Sequence, residues 1–204
     1  MANTAGMVAR IKAILGQPQS EWRVIDGEPA SVGGLMTGWV VPLAAIGPVA
    51  SVIAALAFGY GVPGMPYVVP IGSVIAMSVA SYVMTLVGVF LFALVINALA
   101  PSFGGKSDQV QAMKVAAYGS TAGFLAGIFQ IFPPLAFLTL IGLYNLYLIY
   151  VGLPVLMRVP PEKAVGYIVV AILAMIVIYL VVAAIAGSLA VAFLPRPTIP
   201  VFTP

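Results

Sequence analysis

Residues 143–158 read LYNLYLIYVGLPVLMR. With the residues just before them they form an uncharged run, Leu135 to Met157, that stops at Arg158. A helix needs about 20 apolar residues to cross a bilayer, so the run is long enough to span. Yet it carries Asn145, Tyr144, Tyr147, Tyr150 and Pro154, and those polar atoms need partners if the run lies in lipid.

The rest of the chain supports the membrane reading. Of 204 residues, 63% are hydrophobic and 6% charged, with a mean hydropathy of +1.18. A soluble domain carries about 25% charged residues, and no soluble fold of this size could hide so much apolar surface. No apolar run of signal-peptide length precedes the first long hydrophobic stretch, so the N-terminus is expected to be retained. There is no cysteine, which excludes disulfides and thiolate metal sites. The net charge of +3 reads as a topology signal, and no nucleic-acid partner is expected.

Five hydrophobic runs are predicted as spans, at about 35–60, 68–100, 115–132, 135–157 and 164–194. They are too long and continuous for the alternating strands of a barrel. The positive residues set the orientation. Arg10, Lys12 and Arg23 precede span one, Lys106 and Lys114 follow span two, and Arg158 and Lys163 follow span four, leaving Arg196 alone at the other end. The positive-inside rule then makes the N-terminus cytoplasmic and the C-terminus external. The expected fold is thus an all-α membrane protein, a five-helix transmembrane bundle. Residues 1–30 form a cytoplasmic interfacial segment, 31–194 the bundle, and 195–204 a Pro-rich external tail. Only Pro133-Pro134 joins spans three and four, so a shallow hairpin there would give the same charge pattern.

The first residues have their own pattern. Met7, Val8, Ile11, Ile14 and Leu15 share one side of a helix flanked by Arg10 and Lys12, as in a short amphipathic helix lying in the interface. A second short helix from Ser20 carries Trp22, a residue suited to headgroups. Such a segment either anchors the N-terminus or docks a cytoplasmic protein partner.

Within the spans, Gly119, Gly123 and Gly127 recur every fourth residue and leave one face of span three bare, for close helix packing inside the chain or in a homodimer. Pro42 and Pro48 should kink span one. Ser78, Ser81, Tyr82 and Thr85 share a face of span two, at a depth similar to Asn145 and Tyr144. These groups form either an interhelical hydrogen-bond cluster or a small polar cavity for a ligand. No histidine occurs, and no Asp, Glu, Lys or Arg lies inside a span. Catalytic, cofactor and metal sites are therefore not expected, and the chain does not read as an enzyme.

KAILGQPQSEWRVI, GWVVPLAAIGPV, FGGKSDQVQAMKVAAYGSTAGFLAGIF and GLYNLYLIYVGLPVLMRVPPEKAVGY together resemble a bacterial member of the Yip family, the Rab-GTPase-interacting membrane proteins of eukaryotes. The resemblance runs from about Val8 to Ala184 and is most specific in LYLIYVGLPVLMRVPPEKAVGY. It implies five spans, a cytoplasmic N-terminus, an external C-terminus and a multi-pass place in the bacterial inner membrane. In eukaryotes the family is associated with vesicle transport and membrane organisation. This chain lacks their long cytoplasmic N-terminal region, so Rab binding does not carry over. The expectation that follows is a non-catalytic protein organising membrane lipid or a protein partner at the cytoplasmic face. The other reading is a transporter or channel for a small neutral or lipidic solute, using the polar face between spans two and four.

Overall fold

The computed structural model describes residues 4–59 and 69–193, with side chains described for 6–59 and 69–181. The tail at 195–204 lies outside the described residues, as do parts of the first, second and fifth predicted spans. Every regular element among the described residues is helical. Two short helices, α1 (Thr4–Gly16) and α2 (Pro18–Gly27), precede α3 (Val32–Phe58) and α4 (Ile71–Leu99). A broken third segment follows: α5 (Gln109–Gly119), α6 (Thr121–Ala126) and a 3-10 stretch, Gly127–Ile131. Then come α7 (Pro133–Leu156), whose first part Pro133–Leu143 is also 3-10, and α8 (Pro161–Phe193).

Among the described residues, four helical stretches are long and apolar enough to cross a membrane: Val32–Phe58, Ile71–Phe103, Pro133–Leu156 and Pro161–Val181. The region predicted as span three is not among them, because it is helical in pieces. Gly119 and Ser120 cause the interruption. The Ser120 hydroxyl donates to the Ala116 carbonyl at 2.7 Å, a back-bond that bends helices, and α6 starts afresh after it.

Exposed apolar side chains mark where lipid lies. They run along α3 from Val49 to Phe58, along α4 from Ile71 to Leu94, along the third segment and α7 from Ile128 to Tyr150, and along α8 from Val165 to Val181. Val8 and Val24 of the first two helices are exposed apart from this belt. From Leu94 to Tyr150 and on to Val165, no large apolar side chain is exposed at residues 95–127 or 151–164. The α4 part of this belt is about 36 Å long at 1.5 Å per residue, enough for a hydrocarbon layer of about 30 Å. Tyr147 and Tyr150, both partly exposed, sit near its lower edge, where tyrosines favour the bilayer interface.

Below the belt the chain builds a charged cap. Helix α5 runs through its centre, with Ala112 through Ala117 buried without a break. It packs on α4 and α7, and α2 packs along α7. Trp22 is not set in a headgroup layer, as its residue type suggested. It is fully buried and lies against Gly152, where an added Cβ would meet the indole at 2.8 Å. Tyr118 joins Trp22 to Trp39, with ring centroids 6.4 Å and 4.7 Å away. The glycine at 152 lets a tryptophan wedge seat the first hairpin on α7.

The prolines of span one act as expected for helix breakers. A π turn at Met36–Val40 precedes Pro42, relieving the ring's clash with the preceding turn. The helix breaks again at Ala45, three residues before Pro48, where the Ala45 N–H turns to the Leu43 carbonyl. The Val41 carbonyl thus loses its ordinary helical donor, and the Tyr82 hydroxyl supplies one at 2.9 Å.

Candidate functional site

Two clusters of polar groups stand out, one in the cap and one within the lipid belt. In the cap, Lys114 is buried on α5. Its Nζ donates to the carbonyls of Glu28 at 2.7 Å, Ile25 at 2.8 Å and Asp26 at 3.4 Å. These carbonyls cluster at the C-terminal end of α2, where the helix dipole favours a cation, and that of Ile25 also accepts the Glu28 N–H at 3.3 Å. Desolvation lowers the Lys114 pKa from the ordinary lysine value, against the opposing pull of Asp26, Glu28 and Asp108. Around it, Arg10 pairs with Glu21 and Glu28. Arg158 donates to the Asp26 carboxylate at 2.8 Å, and Gln111 reaches the same residue at 3.3 Å. One acidic residue of α2 therefore ties the third segment to the end of α7. The sequence placed these residues on one side of the membrane but did not pair them.

In the belt, Asn145 has a different partner from the one its depth suggested. Its Oδ1 accepts from the Gly123 N–H at 2.9 Å, not from the Ser78, Ser81, Tyr82 and Thr85 face. The cause is the break at Ser120. A restarted helix leaves its first N–H groups without acceptors, and Gly123 lies at the third position of α6. Ser120, the residue before α6, makes no capping bond with its side chain. Asn145 caps α6 from a neighbouring helix, where an unpaired N–H in lipid would cost several kcal/mol.

The other predicted residues divide by function. Thr85 bonds back to the Ser81 carbonyl at 2.8 Å, Tyr82 reaches Val41, and Ser78 is buried facing α3. The Tyr144 hydroxyl donates to the Leu15 carbonyl at 3.0 Å, binding the tip of the first hairpin rather than the belt cluster. Thr85 and Asn145 do share a cavity. It measures about 480 Å³ and is lined in part by Ser120, Phe92, Met175 and Tyr179. A second cavity of about 210 Å³ adjoins it through Thr85 and Gly123, lined also by Ser51, Ser81 and Gln130. There the Ser51 hydroxyl donates to Gln130 Oε1 at 2.9 Å. Ser51, Ser120 and Gln130 were not singled out from the sequence, since none has a polar residue three or four positions away to form a stripe.

The three glycines are covered within the chain, by different neighbours. A Cβ on Gly119 would meet Ile149 at 2.7 Å, one on Gly123 would meet Asn145 Nδ2 at 2.5 Å, and one on Gly127 would meet the Gly47 Cα at 2.8 Å. Gly119 and Gly123 thus face α7, whereas Gly127 faces α3. Among the described residues, no group of three metal-ligating side chains occurs.

Comparison with known proteins agrees with the membrane architecture. The family model described as Yip1 domain matches residues 12–194. Inner membrane protein YohC of Escherichia coli (strain K12) is 24% identical over 165 residues, which is 78% of this chain and 85% of that protein. The YohC protein of Escherichia coli O6:H1 gives the same figures, 24% over 165 residues. No solved structure matches the chain significantly.

Proposed function

The chain belongs to the Yip1 domain family, and from that premise we propose that it is a non-catalytic multi-pass protein of the bacterial inner membrane whose charged cap organises lipid or a protein partner at the cytoplasmic face. The observation that carries this reading is the cap itself. Lys114, three ion pairs and the Trp22 wedge hold a polar surface rigidly beneath the lipid belt. The relative's name, inner membrane protein, supports the same compartment, and membrane lipid is the partner the exposed apolar belt requires.

Five crossings fit the geometry best. Above the cap, at about 1.5 Å per α residue and 2.0 Å per 3-10 residue, the third segment from Tyr118 to Ile131 climbs about 24 Å into the belt. The turn that follows reaches the far end of the first span, where Phe132 meets Phe58 with ring centroids 5.5 Å apart. This supports full crossing over a shallow hairpin. Reporter fusions after Lys106 and Glu162 should read cytoplasmic and one after Arg196 external; an external signal from either of the first two overturns the arrangement.

The role is tested by photo-crosslinking in native membranes from the exposed cap positions Lys12, Arg23 and Glu162. Discrete adducts at these positions, lost when Lys114→Met releases the hairpin, are the expected result. Adducts that persist in that variant would separate partner binding from the cap. A second reading, transport of a small neutral or lipidic solute, is supported by the cavity that Thr85 and Asn145 line. Solute flux in proteoliposomes discriminates between the two.

A further inference from the structure

We propose that the cavity between α4, α7 and α8 binds a neutral diacyl lipid, with Asn145 donating a hydrogen bond to an ester carbonyl. The inference uses the cavity of the transport reading but needs no passage across the membrane. It begins with the orientation of one amide. The Gly123 N–H can only donate, so it fixes Oδ1 as the Asn145 atom that faces it. Nδ2 is then the other end of the amide, and among the described residues it has no hydrogen-bond partner. Two N–H donors at belt depth without acceptors are costly, because lipid tails offer none. The neighbouring Thr85 and Ser120 hydroxyls donate to carbonyls of their own helices at 2.8 Å and 2.7 Å, and neither oxygen accepts a bond from Nδ2.

The walls restrict the ligand. No Asp, Glu, Lys, Arg or His lines the cavity, so nothing balances a charged headgroup. Phe92, Ile149, Ile172 and Met175 provide apolar contact for a chain. Leu146 and Ile176 line the cavity and are also exposed, which places its rim on the lipid side. At about 480 Å³, it falls within the roughly 300–1,000 Å³ of ordinary ligand sites. Depth points the same way. Asn145 lies five residues from Tyr150 along α7, about 7 Å inside the lower edge of the belt. A phosphate would have to leave the interface for its carbonyls to reach that depth. An uncharged glycerol head does not carry that cost.

The test uses the purified chain in vesicles of dialkyl phosphatidylcholine, a carrier without ester carbonyls. The probe is a diacylglycerol with a diazirine midway along one chain, compared with its dialkyl ether counterpart. The ester probe should label peptides of α4 and α8 that line the cavity, and the ether probe should label them about five- to tenfold less, the effect of one hydrogen bond. Asn145→Leu should abolish that preference. Ile176→Trp, which fills the rim without touching Asn145, should remove cavity labelling by both probes. A diacyl phosphatidylcholine probe should label the cavity less than diacylglycerol. Equal labelling by ester and ether probes in the native chain overturns the hydrogen bond, and needs no variant to fold. Equal labelling by the phospholipid overturns the neutral headgroup. Labelling spread evenly over the lipid belt and unchanged by Ile176→Trp overturns the site, while leaving a transport result to be judged on its own.

Discussion

Lys114→Met should release the first hairpin while leaving the membrane helices in place. The side chains are close in length, so the change removes the ammonium and little else. Two bonds are lost at good geometry, to the Glu28 and Ile25 carbonyls at 2.7 Å and 2.8 Å, and a third is long at 3.4 Å. Hydrogen bonds to a charged group contribute about 1.5–3 kcal/mol each, and the dipole at the end of α2 adds about 0.3–1 kcal/mol. Against this stands the cost of burying an ammonium, several kcal/mol. The balance is a loss of about 2–4 kcal/mol, confined to the contact between α2 and the rest of the cap. Since about 1.4 kcal/mol is tenfold in an equilibrium, the detached state rises roughly thirty- to seven-hundredfold. Limited trypsin digestion reads this directly at Arg23, which is exposed but held in a docked helix. When opening is fast relative to cleavage, the cleavage rate follows the open population. Arg158→Ala is the internal control. Its ion pair with Asp26 is half exposed, and such pairs are worth about 0–1 kcal/mol, so cleavage should rise less than about fivefold. If Lys114→Met accelerates cleavage no more than Arg158→Ala does, the buried lysine is not what holds the hairpin.

Three further outcomes follow from the same contacts. Arg158 has a φ of 56° just after the end of α7, where helices usually place glycine; Arg158→Gly should be neutral or raise stability by up to about 1 kcal/mol despite losing the ion pair, measured by thermal unfolding in detergent, and a clear loss would mean the pair outweighs the strain. Gly127→Ala should cost about 1–3 kcal/mol or more, because its Cβ would meet the Gly47 backbone at 2.8 Å with no side chain to move aside; unchanged stability would mean α3 and the third segment separate freely. Asn145→Leu strands the Gly123 N–H and should lower stability by about 1–3 kcal/mol, with hydrogen exchange rising first at the start of α6; exchange unaltered there would contradict the capping role.

The lipid-exposed helices were legible because a bilayer imposes its demand residue by residue. Exposed Ile75, Val79, Leu173 and Leu180 must be apolar whatever packs behind them, so length and hydropathy suffice to find α4 and α8. The third segment shows where that logic ends. Ala112 through Ala117 are buried by protein, not lipid, and hydropathy is blind to the difference. The sequence therefore reads as a span beginning at Val115, whereas the helix begins at Gln109 and runs through a buried lysine. The same ambiguity covers Trp22. An amphipathic face can be covered by headgroups or by another helix, and only the absence of a side chain at Gly152, 130 positions away in the chain, decides for the helix.

The belt cluster was half legible for a related reason. Polar residues in lipid need partners, so Asn145, Thr85 and Tyr82 could be recognised as inward-facing from type and depth alone. Their partners depend on where the backbone fails to satisfy itself. Tyr82 answers a carbonyl freed near Pro48, and a proline at least announces such a defect in the sequence. Asn145 answers an N–H freed at Ser120, a residue that many continuous helices tolerate. Side chain seeks side chain was the wrong expectation here: in a medium without water, the more costly unpaired group is the broken backbone, and the buried amide goes to it first. That choice leaves Nδ2 over, which is why the structural role of Asn145 and its proposed ligand role are parts of one arrangement and not alternatives.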